Sequence, residues 1–306
     1  MADDTRSASG PLIFDRMLLR QRQRRATRLG PATFLLDRVA EDLAERLVVV
    51  TRRFDLAADI GTPGAALRQA LAPLDQVGHV IALSALPPRE TAWTGAAITA
   101  DEEALPLADA SLDLAVSALS LQLVNDLPGA LIQIRRALKP DGLFLAALFG
   151  GDTLSELRAA FAAAESEIEG GISPRVAPFA DLRDLGALLQ RAGFALPVAD
   201  ADRVVVRYRS ALDLAQDLRR MGATNPLIDR RRGPLKRATL MRMAEIYAER
   251  FADVDGRLRA TFEVVFLSGW SPHPGQQQPL RPGTAQTRLA TALGTAEIST
   301  GEKAGR

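Results

Sequence analysis

Residues Leu143 to Phe149 read LFLAALF, an apolar run without a single polar side chain, behind the turn-like stretch Lys139-Pro140-Asp141-Gly142. Side chains of a strand alternate between two faces, so such a run must be covered on both, as in a central parallel strand. Upstream, further strands are predicted at Phe54 to Ile60, Gly78 to Leu83, within Ala92 to Thr99, and at Leu112 to Ser117. Helical patterns at Ala65 to Leu74 and Leu127 to Leu138 separate them. Strands alternating with helical crossovers make a doubly wound α/β sheet the expected fold.

The chain has 306 residues and 47% apolar content, enough for a sizeable core. Residues 1–10 read as disordered. Ile13 to Arg28 holds Arg16, Arg20, Arg22, Arg24, Arg25 and Arg28 beside apolar Ile13, Phe14, Met17 and Leu18. This basic helix either caps the main domain or meets an anionic partner, an anionic membrane surface among them. Thr33 to Val48 follows as an amphipathic helix. The expected division is residues 1–48 as a disordered start and helical cap, 49–273 as the main domain, and 274–306 as a mobile Pro/Gly/Gln-rich tail. A helical insertion at about 209–255, with helices near Ala211 to Met221 and Leu235 to Phe251, falls between strands Val204 to Tyr208 and Phe262 to Leu267, an expected antiparallel edge pair. Thr153 and Glu156 have capping-box spacing for a helix through Glu169.

Net charge is +1 with the 38 basic residues dispersed, which argues against nucleic acid as a partner. Cysteine is absent and His79 and His273 are the only histidines, so thiolate chemistry and a His-rich metal site are excluded. No apolar run approaches the roughly 18 residues of a membrane span. The polar opening with Asp3 and Asp4 argues against a secretory signal, giving a cytoplasmic expectation, or the mitochondrial matrix for a eukaryotic source.

Ligands of such sheets bind beyond the carboxyl ends of the strands. After the first strand comes Asp59-Ile60-Gly61-Thr62-Pro63-Gly64, readable as a cofactor loop or as an ordinary strand-to-helix turn. The second strand ends at Leu83-Ser84, where a ribose diol would call for a carboxylate; Ser84 can supply one hydrogen bond. Asp101 and Glu102 after the third strand can meet an exocyclic amine or form an exposed acidic loop. Gln122, Asn125 and Asp126 after the fourth strand stand near a reacting group, with Asn125 or Asp126 also suited to capping the next helix. Asp152 after Gly150-Gly151, and Trp270 and His273 past the last strand, complete the substrate candidates.

The segments ADEEALPL (Ala100 to Leu107), SALSLQLVNDL (Ser117 to Leu127), LKPDG (Leu138 to Gly142), FGGDTLSELR (Phe149 to Arg158) and EGGISP (Glu169 to Pro174) carry a family resemblance. The chain resembles class I S-adenosylmethionine methyltransferases, and more closely the complex I assembly factors of that fold and their alphaproteobacterial relatives. Malonyl-carrier-protein methyltransferases are similar at greater distance. The resemblance implies a seven-stranded, mostly parallel sheet with S-adenosylmethionine in its crevice. Asp59, Gly61 and Gly64 would line the methionine portion, Asp101 and Glu102 the adenine, and Ser117 the floor. It further implies a protein client, a subunit of respiratory complex I, that is hydroxylated or methylated. Two alternatives stand beside it: a non-catalytic assembly chaperone, and an O-methyltransferase acting on a small molecule or carrier protein. The chain departs from the family's pattern at Pro63, Leu83 and Leu123.

Overall fold

The computed structural model describes residues 12–86, 95–277, 287 and 289–295. Seven strands form one sheet in the order β3-β2-β1-β4-β5-β7-β6, parallel except for β7, which runs antiparallel to both β5 and β6. The strands are β1 (Phe54–Ile60), β2 (Val77–Ser84), β3 (Ala97–Thr99), β4 (Leu112–Ala118), β5 (Leu138–Phe149), β6 (Ala195–Tyr208) and β7 (Leu258–Trp270). Residues 92–94 of the third-strand expectation lie outside the described residues.

Helices cover both faces, as the LFLAALF run requires. On one face α2 (Phe34–Val48) and α3 (Ala66–Leu71) bury Leu43, Leu47, Leu67 and Leu71 against Phe54, Leu114, Leu145 and Phe266. On the other, α4 (Leu127–Ala137) and α6 (Leu182–Arg191) bury Leu131, Ile134, Leu185 and Leu189 against Ala58, Phe144 and Leu148. Leucines at three- and four-residue spacing on each helix supply these stripes. A third cluster joins α5 (Ser155–Glu169), α7 (Ala211–Arg220) and α8 (Arg237–Phe251) to β6 and β7 through Leu157, Leu214, Ile246, Tyr247 and Phe262. Both α7 and α8 fall between the two strands of the antiparallel pair.

The amino-terminal helix α1 (Arg16–Leu29) belongs to the same compact unit, Met1–Pro272; a second unit, His273–Arg306, includes α9 (Leu289–Leu293). The apolar face expected at the start of α1 is mostly outward, since Met17 is 73% exposed and Ile13 is also exposed. Phe14 of that face is buried, joined by Leu19 and Ala26, while arginines also hold the inward side of the helix, as described below.

Three local expectations need correction. Lys139-Pro140-Asp141-Gly142 is a bulge rather than a break: Leu138 pairs with Leu112 and Leu143 with Leu114, while Asp141 takes a φ of 64°. β6 begins at Ala195, well before Val204, because its hydrogen-bonded pairing to β7 sustains an edge strand whose polar residues Asp200, Asp202 and Arg203 carry no apolar signature. Thr153 and Glu156 form no capping box. The Thr153 hydroxyl donates to the Glu263 carbonyl (3.1 Å) and accepts from the Glu263 amide (3.1 Å), and the Glu156 carboxylate receives the Thr261 amide and hydroxyl. These two residues staple the start of α5 to β7. Replacing Thr153 with isosteric valine removes the hydroxyl partner of the Glu263 amide, while the Glu263 carbonyl keeps the Gly150 amide (2.8 Å), and urea denaturation of Thr153→Val is expected to show a loss of about 1–3 kcal/mol.

Candidate functional site

The carboxyl ends of β1, β2, β3 and β4 meet along one edge of the sheet. There β1 delivers Asp59, fully buried, with its carboxylate ion-paired to Arg68, which is 4% exposed. Arg68 also donates to the Gly64 carbonyl, tying the helix α3 back onto the loop that precedes it. Burial pushes the Asp59 carboxyl up to about 6, against the opposing pull of the Arg68 guanidinium and the Thr62 hydroxyl and amide.

Gly61 and Gly64 take φ values of 75° and 74°, the left-handed region where glycine carries no penalty. At Gly61 the requirement is doubled: an added Cβ would sit 2.8 Å from the Glu102 Cγ and also meet the Ser120 hydroxyl. The Gly61 amide donates to the Leu83 carbonyl (2.6 Å), closing the loop onto β2. Leu83 itself is buried, and the Ser84 hydroxyl accepts from the Leu86 amide at 3.2 Å. Ser117 is also buried, its hydroxyl donating to the Ile60 carbonyl at 2.7 Å; Thr62 accepts from the Ala118 amide at 2.9 Å.

Glu102, 6% exposed, reaches from the loop after β3 toward Gly61 and the Ser120 hydroxyl. Its counter-charge is Arg16 of α1. Arg16 also pairs with Asp101 (2.9 Å) and donates to the Leu123 carbonyl (2.9 Å), while Arg20 pairs with Asp101 as well. Despite the opposing effect of burial, the Glu103 amide and these two guanidiniums hold the Asp101 carboxyl below the usual carboxylate range. Asn125 fastens the chain just before α1: its Oδ1 accepts from the amides of Ile13 (2.8 Å) and Phe14 (2.7 Å), and its Nδ2 donates to the Phe14 carbonyl. The amino-terminal segment is thus a strap across the loops that follow β3 and β4.

Of the residues singled out from sequence, Asp59, Gly61, Gly64, Ser84, Asp101, Glu102 and Ser117 lie along this edge. Gln122 sits in the 3-10 turn Leu121–Leu123, its Oε1 buried and without a partner among the described residues. Asp126, not Asn125, caps α4, accepting from the Gly129 amide. Asp152 is turned to the β6 side, paired with Arg203. Trp270 does not reach this edge. Because β7 is antiparallel, its last residue pairs with Leu143 at the start of β5, on the opposite edge of the sheet. His273 belongs to the second unit, where its Nδ1 accepts from the Gly275 amide at 3.0 Å.

Arg16, Arg20 and Arg68 were missed. A signal for Arg68 existed: it stands between Leu67 and Gln69 in a helix with two buried leucines, and a buried guanidinium demands a carboxylate. Nothing in spacing pointed Arg16 to residues 85 and 86 positions away.

Chemically the edge fits S-adenosylmethionine in part. Sulfonium and ammonium charges against one carboxylate give that ligand a net positive charge, and three carboxylates with two glycines are suited to receive it. Every one of those carboxylates is already answered by an arginine of the chain, and the ribose side offers only Ser84. The folded value of about 6 for Asp59 exceeds its ordinary 3.8, so the folded state holds the proton more tightly and stability declines as pH rises between those values. Urea titrations of wild type against an Asp59→Asn/Arg68→Met double variant are expected to show this decline, up to about 3 kcal/mol, only in wild type.

The family described as methyltransferase domain matches residues 58–146. "Arginine-hydroxylase NDUFAF5, mitochondrial" of Danio rerio is 38% identical over 292 residues, covering 93% of this chain and 90% of that protein. The Homo sapiens protein of the same name is 40% identical over 281 residues, covering 89% and 81%. Malonyl-[acyl-carrier protein] O-methyltransferase of Halorhodospira halophila is 36% identical over 253 residues, covering 80% and 84%. The solved YcgJ protein of Bacillus subtilis shares the fold, with a TM-score of 0.51 at 15% identity, covering 76% of this chain and 98% of that one. Sheet order, crevice and these relatives agree: the chain belongs to the methyltransferase-fold family that includes the NDUFAF5 arginine-hydroxylases.

Proposed function

We propose that this chain modifies a protein client, a subunit of respiratory complex I, with S-adenosylmethionine held in the crevice at the ends of β1 to β4. The observation that carries this is the row of carboxylates, Asp59 at one end and Asp101 and Glu102 at the other, with Gly61 between them. Asp59 would serve the ammonium end, Asp101 or Glu102 the adenine amine, and Ser84 one ribose hydroxyl. Bound there, the cofactor supplies a methyl group on a sulfonium. The client side is the rim formed by the loops after β4 and β5, where Gln122 keeps an unused acceptor. Compartment follows the client: the mitochondrial matrix in a eukaryote, the cytoplasm in a bacterium.

Affinity should be modest. A ribose without its carboxylate forgoes a charged hydrogen bond of about 1.5–3 kcal/mol, roughly tenfold to a hundredfold. Arg16 adds a competitor, since it pairs with both Asp101 and Glu102, and Arg20 holds Asp101 as well. Calorimetry with S-adenosylmethionine is therefore expected to show weak binding to wild type and binding about tenfold tighter to Arg16→Ala. No heat at millimolar ligand with either protein would reject the cofactor.

The second reading, a client-binding chaperone without catalysis, is favoured by Arg68. This guanidinium is buried inside the loop itself, beside Asp59 and the Gly64 carbonyl, where the ammonium of a ligand would otherwise lie. Mass spectrometry of the client subunit from cells with and without this protein separates the outcomes: one added oxygen, one added methyl group, or no change. The exposed outer face of α1, with Arg24, Arg25 and Arg28, is where an anionic surface would touch.

A further inference from the structure

Residues 170–179, between α5 and α6, roof the first half of α5 without collapsing onto it. Glu165, 1% exposed, accepts from the Ser173 amide (2.7 Å) and hydroxyl and pairs with Arg175. Asn225 Nδ2 donates to the Pro174 carbonyl at 2.7 Å. Pinned at both places, the segment leaves a cavity of about 730 Å³ whose walls include Gly151, Arg158, Phe161, Ile172, Val176 and Phe179. Gly151, one of the lining residues, stands two residues past the end of β5, on the carboxyl edge of the sheet.

The walls are largely apolar and contain no acidic residue. The charge of Arg175 is answered by Glu165. Arg158 is not so answered: it donates to the carbonyls of Gly151, Thr153 and Ala177 and makes no ion pair among the described residues. A guanidinium set on an apolar wall and held only by carbonyls is suited to recruit an anion. An apolar concavity with one such group is the usual form of a ligand site.

We propose that this cavity binds a carboxylate carried on an apolar or aromatic body, with Arg158 as the anion partner and Phe161 and Phe179 flanking the body. The site is separate from the cofactor crevice and stands whether or not a cofactor binds there. Such a carboxylate could be presented by a segment of a protein client or by a free small acid.

Calorimetry on the full-length protein with 4-phenylbutanoate and with uncharged 4-phenylbutanamide tests it. The acid is expected to bind at least tenfold more tightly than the amide. Arg158→Gln should reduce the acid to the level of the amide, while Arg158→Lys, which keeps the charge, retains the preference. Gly151→Val should weaken both probes, since its new Cβ meets only the Phe179 carbonyl, at 3.7 Å, and the branched side chain takes up space at a position that lines the cavity. A parallel titration with acetyl-Phe-Glu-amide identifies the source: tighter binding of the peptide than of the free acid points to a protein client, the reverse to a small acid, and both support the site. Equal affinity for acid and amide, no binding of any probe to wild type, or unchanged acid affinity in Arg158→Gln overturns it.

Discussion

A sheet covered on both faces has nowhere to put a charge except at the ends of its strands. That constraint organises this molecule. Ala57, Ala58, Leu114, Ala115, Phe144 and Ala146 are all fully buried along the central strands, so β1 carries its charges only towards its two ends, exposed Asp55 at the start and buried Asp59 near the close. Ionised carboxylates in so dry a place need a counter-charge nearby. The chain supplies one from its own helices in each case: Arg68 from α3 for Asp59, Arg16 and Arg20 from α1 for Asp101 and Glu102.

This arrangement changes what the glycine loop means. In an open crevice, glycines leave room for a ligand. Here the room beside Gly61 is taken by the Ser120 side chain and by that of Glu102, which Arg16 holds. A ligand and the amino-terminal strap therefore share the same acceptors. Proline at position 63 removes one amide from the loop, and the Gly61 amide is already spent on Leu83.

Much of the fold was legible because its signals are local. The span Phe54–Ile60 matches its strand residue for residue, and the helix patterns around Leu43, Leu131 and Leu185 report the buried stripes directly. What stayed hidden depends on partners distant in sequence. The first half of β6 is polar and is a strand only because β7 lies beside it. Thr153 and Glu156 had the spacing of a cap, yet β7 offered them better-placed backbone groups. Asn125 looked like a cap because asparagine often is one; its amide instead closes on Phe14, 111 residues earlier. That the carboxylates stand at strand ends was legible from topology, whereas the arginines that pair with them were not.

The strap also has a consequence for the order in which the molecule is made. Its contacts reach far along the chain: Asn125 to Ile13 spans 112 residues, and Arg22 to the Asn225 carbonyl spans 203. Contacts of such sequence separation are slow to form, because a long loop must close first. During synthesis the segment from Ile13 to Leu29 has no complete seat until residue 225 has left the ribosome. This segment leaves the ribosome long before its seat does and is among the last to settle, and until then the sheet edge bearing Asp101 and Glu102 stands open.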